Sequence, residues 1–124
     1  MPGVQLLLLL ESGLKISGTW TGSAGFGQLS FVVDSTSTGI TEITYEFIEF
    51  KCGAVVRNGP ISVSVTTPWP ITDHQFTIEN NFNPNFEMTL SGMFDPTGTY
   101  ASGDWEAVSY GTTCSGSWDA SLLQ

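Results

Sequence analysis

Three stretches of the chain share one pattern: Ser17–Gly22 (SGTWTG), Ser102–Ala107 (SGDWEA) and Ser115–Ala120 (SGSWDA). Each places Gly, Trp and a small residue at alternating positions. In a β-strand these residues lie on one face, and the polar residues between them lie on the other. A tryptophan beside residues without bulk can lay its ring flat over a neighbouring strand. The pattern therefore predicts three strands whose tryptophans anchor a core: Trp20, Trp105 and Trp118.

The composition favours one β-rich domain. Of the 124 residues, 40% are hydrophobic and only 12% are charged, against about 25% charged in an average protein. Gly, Ser, Thr and Asn replace the charged residues, which suits short strands and many turns. A chain of this length forms a single domain that buries roughly two thirds of its unfolded surface.

The charge is strongly acidic. Asp and Glu number 12 and Lys and Arg only 3, for a net charge of -9. Such a chain is repelled by phosphate backbones and by anionic lipids, so its charge disfavours nucleic acid and membrane surfaces as partners. The simplest role of the acidic residues is to keep the chain soluble.

Alternating apolar and polar residues predict about eight strands, at residues 14–21, 29–33, 40–51, 61–65, 76–78, 86–94, 99–109 and 114–122. The short connections rich in Gly, Asn and Pro are typical of an antiparallel meander. We predict an all-β meander closed as a β-barrel, with a β-sandwich as the alternative. Two irregularities are expected: a bulge near Phe47-Ile48, where the alternation slips, and a turn at Asn58-Gly59-Pro60.

Cys52 and Cys114 form an even pair in a small domain, and neither lies in a CxxC or Cys/His setting. This favours one structural disulfide formed in an oxidising compartment. We therefore expect the protein to be secreted or displayed at a cell surface.

Residues 1–13 form an apolar extension that precedes a single all-β domain at 14–124. The run Leu6–Leu10 resembles part of a signal peptide, but no basic residue comes before it, and it is far too short to span a bilayer. Three interpretations remain open: an extra strand, a leader remnant, or a contact between copies. Self-association would use Leu6, Leu8 and Leu10.

Two resemblances bear on the fold. The opening Val4-Gln5-Leu6 and Glu11-Ser12-Gly13 resemble an antibody heavy-chain variable domain, but Trp69 lies between prolines and not in a core strand, so this likeness is coincidental. The chain also resembles uncharacterised small β-modules of secreted and cell-surface bacterial proteins, through Gly18-x-Trp20 and the closing run Cys114–Ala120. That resemblance implies the fold and the compartment, and it implies no activity.

Gly18-x-Trp20 on a first strand is also similar to lipocalin-like and avidin-like barrels. A closed barrel of this kind could hold a small apolar ligand in its mouth. The chain has eight Phe, four Trp and three Tyr, whose large side chains need space in the core. We therefore favour an interior filled by side chains.

No catalytic constellation is evident. The single histidine, His74, follows Asp73 in a predicted loop, and no Gly-x-Ser-x-Gly motif accompanies it. Carboxylates recur on the predicted outer faces, where paired acids could in principle hydrolyse glycosides; these are Glu42 with Glu46, and Asp104 with Glu106 and Asp119. They alternate with core positions, and a solvated face is the simpler interpretation.

Oxygen-rich loops offer a possible calcium site at Asp34–Thr38 and Asp95–Thr99. Neither loop has an Asp-x-Asp-x-Asp-Gly pattern, and ordinary turn chemistry accounts for both. We predict no metal and no other cofactor.

Trp69 is the tryptophan outside the shared pattern, and flanking prolines could hold its ring out to stack on a sugar. Tyr100 or Tyr110 could extend that platform. The leading hypothesis is a non-catalytic extracellular structural or adhesion module. A carbohydrate- or small-ligand-binding module is the alternative, and an acid-pair hydrolase comes third.

Overall fold

The computed structural model describes residues 15–123, in which eight strands form one antiparallel sheet. The strands are β1 Gly18–Ala24, β2 Gly27–Val33, β3 Gly39–Cys52, β4 Val55–Pro70, β5 Gln75–Asn83, β6 Phe86–Phe94, β7 Tyr100–Ser109 and β8 Thr112–Leu122. Their order in the sheet is β4-β3-β2-β1-β8-β7-β6-β5, so β1 pairs with both β2 and β8. This meander is a nearly closed barrel, which confirms the predicted fold class.

The two ends of the barrel are defined by its connections. The loops after β2, β4 and β6 lie at one end, here called the upper end, and the turns after β1, β3, β5 and β7 lie at the lower end. No helix in the described part of the chain is both long and apolar enough to cross a bilayer. Residues 1–13, for which the sequence predicts an apolar extension, lie outside the described residues.

Inward side chains fill the barrel. Trp20, Tyr45 and Phe31 are almost completely buried. The ring of Phe31 contacts the rings of Trp20, Phe76, Phe94 and Trp118. One residue closes each end of this core. Ile16, just before β1, is fully buried at the upper end, and Phe26, in the turn after β1, is fully buried at the lower end.

Glycines make room for two of the tryptophans of the repeated pattern. A Cβ atom at Gly92 on β6 would collide with the ring of Trp118, and a Cβ at Gly116 on β8 would come within 2.8 Å of the ring of Trp105. The indole of Trp118 also donates a hydrogen bond of 2.9 Å to the carbonyl of Ser91. The rings therefore lie directly over neighbouring backbone, as the small residues in the pattern predict.

A disulfide joins Cys52 to Cys114, as the cysteine pair predicts, with the two Cα atoms 6.0 Å apart. Cys52 ends β3 and is buried, and Cys114 begins β8. The bond therefore ties opposite walls of the barrel together at its lower end.

The barrel is not hydrogen-bonded all the way round. β4 and β5 are the two edges of the sheet, and the described residues join them through a single isolated bridge, Thr72 to Gln75, in the turn between them. We call the gap between these strands the seam. Below it, the Tyr45 hydroxyl donates a 2.6 Å hydrogen bond to Asn80 Oδ1, so a side chain of β3 fastens β5.

The two predicted irregularities have different outcomes. The register between β3 and β4 shifts between Phe47 and Phe50, which confirms the bulge. The prediction of a turn at Asn58-Gly59-Pro60 is wrong, because β4 runs through these residues. Gly59 has a φ of 92°, and the side chain of Asn58 accepts a hydrogen bond from the Glu49 amide, so they form part of the bulged edge and do not reverse the chain.

Candidate functional site

The outer face of β7 and β8 carries most of the polar side chains of two repeated segments. While Gly, Trp and Ala of SGDWEA and SGSWDA point inward, the alternate residues point to solvent. On β7 these are Ser102, Asp104 and Glu106, and on β8 they are Ser115, Ser117 and Asp119. The pattern that builds the core therefore also builds this surface.

Strand register places each of these carboxylates opposite a serine. Ser102 pairs with Asp119, Asp104 with Ser117, and Glu106 with Ser115. All six side chains are exposed. The three carboxylates have no hydrogen-bond or ion-pair partner among residues 15–123, so their oxygens are available to a ligand.

Tyr100 lies at the upper end of this ladder. Its side chain is 44% exposed, and its backbone amide is held by the Asp95 carboxylate at 3.3 Å. The ring, with Ser23 of β1, Asp104 and Asp119, lines a shallow depression over the strands. A second depression begins at Asp104 and continues past Glu106. We call the combined surface the hairpin groove, comprising Ser23, Tyr100, Ser102, Asp104, Glu106, Ser115, Ser117 and Asp119.

Small serine side chains create the groove. At each level a serine is placed across from a longer acidic side chain, and Tyr100 rises at one end. The β7–β8 backbone beneath is paired on both sides, with β6 and with β1. The groove therefore has a rigid floor and does not depend on a mobile loop.

The three aromatic residues predicted as a binding platform are distributed over the molecule. Trp69 is half-buried near the end of β4, where it packs against the core. Tyr110 is 63% exposed but follows the lower end of β7, whereas Tyr100 begins the same strand at the upper end. Because ten residues of strand span about 33 Å, Tyr100 and Tyr110 cannot contact one small ligand together.

The interior of the barrel is occupied by its own side chains. Phe26 and Ile16 close its two ends, and Arg57 of β4 reaches across the lower end. The Arg57 guanidinium lies 3.6 Å from the centre of the Phe86 ring and donates a 3.1 Å hydrogen bond to the buried Ser109. Turn-forming residues next to Arg57 obscure its inward position in the sequence, although an arginine at an inward position of a strand is itself a signal.

The predicted catalytic candidates are only partly brought together: Asp104, Glu106 and Asp119 share the open hairpin groove, whereas the other candidates lie elsewhere. His74 is exposed in the turn between β4 and β5, and its carbonyl accepts a hydrogen bond from the Phe94 amide. Glu42 and Glu46 lie on β3, three strands away from β8, and Glu42 accepts a hydrogen bond from Ser64. The acids of the hairpin groove are exposed and lack the desolvation that would prepare one of them as a general acid.

The two oxygen-rich loops are built alike at the upper end. The Asp34 carboxylate accepts hydrogen bonds from the Thr36 hydroxyl and the Thr38 amide, and Asp95 accepts them from the Thr97 hydroxyl and the Gly98 amide. Each aspartate therefore uses its oxygens to fix its own turn. Residues 15–123 contain no group of three or more His, Cys, Asp or Glu side chains placed to hold a metal ion.

These hydrogen bonds control the ionisation of both aspartates. Desolvation disfavours the charged form of Asp34, but the bonds from Thr38, Thr36 and Gly39 outweigh it and lower the pKa of Asp34. The same balance, with bonds from Thr97 and from the amides that follow it, lowers the pKa of Asp95. In the core, burial raises the pKa of Tyr45 well above its ordinary value of 10.0.

Comparison with known proteins finds a likeness among solved structures. No protein-family model and no curated protein matches the chain. Among solved structures, a shwanavidin variant crystallised with biotin aligns with a TM-score of 0.46 and 18% identity, over 87% of this chain and 97% of that one.

Proposed function

We propose that this chain is a non-catalytic, adhesion-type binding module of a secreted or cell-surface protein, and that the hairpin groove holds a neutral carbohydrate. The observation that carries the proposal is the half-exposed ring of Tyr100 beside carboxylates that have no partner among the described residues. A sugar presents an apolar ring face that packs on an aromatic side chain, and hydroxyls that donate to carboxylates.

Charge and burial support this ligand class over others. The net charge of -9 opposes an anionic ligand. A small apolar ligand would need an enclosed apolar pocket, whereas the interior is filled with aromatic and aliphatic side chains. A neutral polyol requires neither a positive field nor a cavity.

The disulfide supports the proposed compartment. Cys52 is buried and bonded to Cys114, and small domains with structural disulfides are typical of oxidising, extracellular environments.

A glycan array probed with purified protein tests the proposal. We expect the wild type to bind neutral glycans, and Tyr100→Ala and Asp104→Asn each to lose at least about tenfold in affinity, the equivalent of 1.4 kcal/mol. Tyr110→Ala is the matched control, because it removes a more exposed ring at the other end of β7. It should bind like the wild type.

Two results would contradict the proposal. Wild-type protein that binds no glycan would leave a purely structural role for the chain. Equal losses in Tyr100→Ala and Tyr110→Ala would show that binding does not occur in the hairpin groove.

A further inference from the structure

Another depression of the outer wall adjoins the hairpin groove. It lies over β5, β6 and β7, and it meets the hairpin groove at Ser102 and Asp104, which line both. We call its remaining outward side chains the groove extension, comprising Gln75 and Thr77 of β5 and Ser91 and Met93 of β6.

Strand register aligns the groove extension with the hairpin groove in two rows. The first row consists of Ser23, Asp119, Ser102, Met93 and Gln75, each directly opposite the next. The second row lies further from the upper end and consists of Ser117, Asp104, Ser91 and Thr77. Residues that are directly opposite on one face of a sheet have neighbouring side chains. The two rows therefore form one continuous surface that crosses the strands.

The first row is much longer than one sugar ring. It crosses five neighbouring strands, from β1 to β5 through β8, β7 and β6. Because neighbouring strands lie about 4.8 Å apart, the row spans about 19 Å along the wall. A single pyranose ring covers only a fraction of that distance. A ligand that uses both ends of the row must therefore be a chain of linked sugars.

Apart from Met93, the groove extension consists of neutral hydrogen-bonding side chains. They are the amide of Gln75 and the hydroxyls of Thr77 and Ser91, and they have no side-chain hydrogen-bond partner among residues 15–123. Amides and hydroxyls both donate and accept hydrogen bonds, which matches the hydroxyls of a sugar. The extension carries no charged side chain, so it requires no charged group on the ligand.

Met93 places an apolar side chain among these polar groups. It is 52% exposed, and it lies opposite Ser102. Tyr100 precedes Ser102 by two residues on β7, so Met93 and Tyr100 are diagonal neighbours across the β6–β7 pair, about 7–8 Å apart. Two apolar side chains at this spacing can pack against the faces of successive rings of one sugar chain.

The floor of the groove extension is rigid. Gly92 and Gly103 face each other across β6 and β7, and a Cβ atom at Gly103 would collide with the backbone of Ser91 and Gly92. Glycine therefore allows the two backbones to approach closely here. Inside the barrel, the Trp118 indole holds the Ser91 carbonyl by its hydrogen bond. The surface is formed before any ligand binds.

We propose that the ligand is a linear, neutral oligosaccharide that lies across the strands from the hairpin groove to the groove extension. Met93 and Gln75 contact sugar units that a mono- or disaccharide in the hairpin groove does not reach. This inference rests on the proposed function, because it lengthens the same binding surface.

Calorimetric titration with cello- and manno-oligosaccharides of one to six units tests the inference, because these neutral sugars form extended chains. We expect wild-type affinity to rise about tenfold or more between the disaccharide and the tetrasaccharide of the series that binds. Met93→Ser and Gln75→Ala should each weaken tetrasaccharide binding by about fivefold and leave disaccharide binding unchanged. Val56→Ser is the matched control, because it removes an equally exposed apolar side chain at the lower end of β4.

The outcomes separate this inference from the proposed function. Affinity that does not rise with chain length, tetrasaccharide binding unaffected by Met93→Ser, or equal losses in Met93→Ser and Val56→Ser would overturn the inference alone. So would the absence of binding to every member of both series. In each of these cases the glycan array and Tyr100→Ala still decide whether the hairpin groove binds a neutral carbohydrate.

Discussion

At the scale of single residues, the barrel depends on glycines that let tryptophan rings lie against backbone. Gly92 and Gly116 each face an indole across a strand pair, and neither position has room for a Cβ atom. The cost of a side chain here comes from displacing a large buried ring, because Trp118 and Trp105 are both at least 95% buried. Tight interiors tolerate added volume poorly.

We expect Gly92→Ala to lower the free energy of unfolding by about 1–3 kcal/mol, because the new methyl group displaces the Trp118 ring. Chemical denaturation followed by tryptophan fluorescence measures this change. Ser91→Ala is the control, since it alters an outward side chain next in sequence and keeps the carbonyl that Trp118 bonds. A Gly92→Ala variant as stable as Ser91→Ala would contradict the packing described.

The upper-end aspartates predict a stability loss in acid. The pKa values of Asp34 and Asp95 are lowered in the folded protein, so their stabilisation is fully present above the unfolded value of 3.8 and is lost as pH falls through the lowered values. We expect the melting temperature of Asp34→Asn/Asp95→Asn to be lower at pH 7 and to fall less between pH 5 and pH 2 than that of the wild type. Thermal melting at several pH values measures this, and parallel melting profiles for the wild type and the double variant would contradict the role described for these aspartates.

At the scale of elements, the lower end is held by a covalent bond and the seam by a hydrogen bond. The disulfide closes a sequence separation of 62 residues and joins β3 to β8, which are not neighbours in the sheet. The Tyr45 hydroxyl reaches Asn80 on the opposite side of the seam. Each link crosses a place where backbone pairing does not join the elements.

Removing the disulfide in Cys52→Ala/Cys114→Ala should lower the free energy of unfolding by about 4 kcal/mol, because a closed loop of this length restricts the unfolded chain. Urea denaturation of the variant and the oxidised wild type measures the difference. Equal stability of the two would show that the bond does not constrain the unfolded chain as described.

Tyr45→Phe should lower the free energy of unfolding by about 1–2 kcal/mol at pH 7, since it leaves the half-buried Asn80 side chain without its donor. The raised pKa of Tyr45 adds a pH effect: the unfolded phenol ionises first, so wild-type stability falls as pH rises above about 10. The variant should show a smaller fall. Denaturation curves of both proteins at pH 7 and in alkali measure these changes. Equal losses of stability in the two proteins on going to alkali would contradict this role for Tyr45.

Alternation in the sequence predicts the meander and its eight strands, because strands buried on one face repeat every two residues. It fails at Asn58-Gly59-Pro60, where turn-forming residues lie in an edge strand that needs no complete ladder. The sequence also does not reveal the hairpin groove as a site. Its carboxylates are evident at outward positions, but the serines that oppose them depend on the β7–β8 register, which residue spacing within one strand does not show.

At the scale of the whole molecule, the barrel separates its packed interior from the surface that we propose for ligand binding. Its interior is an aromatic core closed by Ile16 and Phe26. Its outer wall presents Tyr100 beside acids that have no partner among residues 15–123, on a rigid pair of strands. In the repeated Ser-Gly-x-Trp segments of β7 and β8, alternate side chains point into the core and out to the hairpin groove. We therefore propose that ligand binds outside the barrel, in the hairpin groove.

Amide chemical-shift mapping tests that claim most directly. We expect titration of the ¹⁵N-labelled protein with a panel of neutral oligosaccharides to shift amides within residues 100–106 and 115–121, and to leave those around Trp69 and the lower end unchanged. Shifts concentrated around Trp69 or Phe26, or no shifts with any member of the panel, would contradict it.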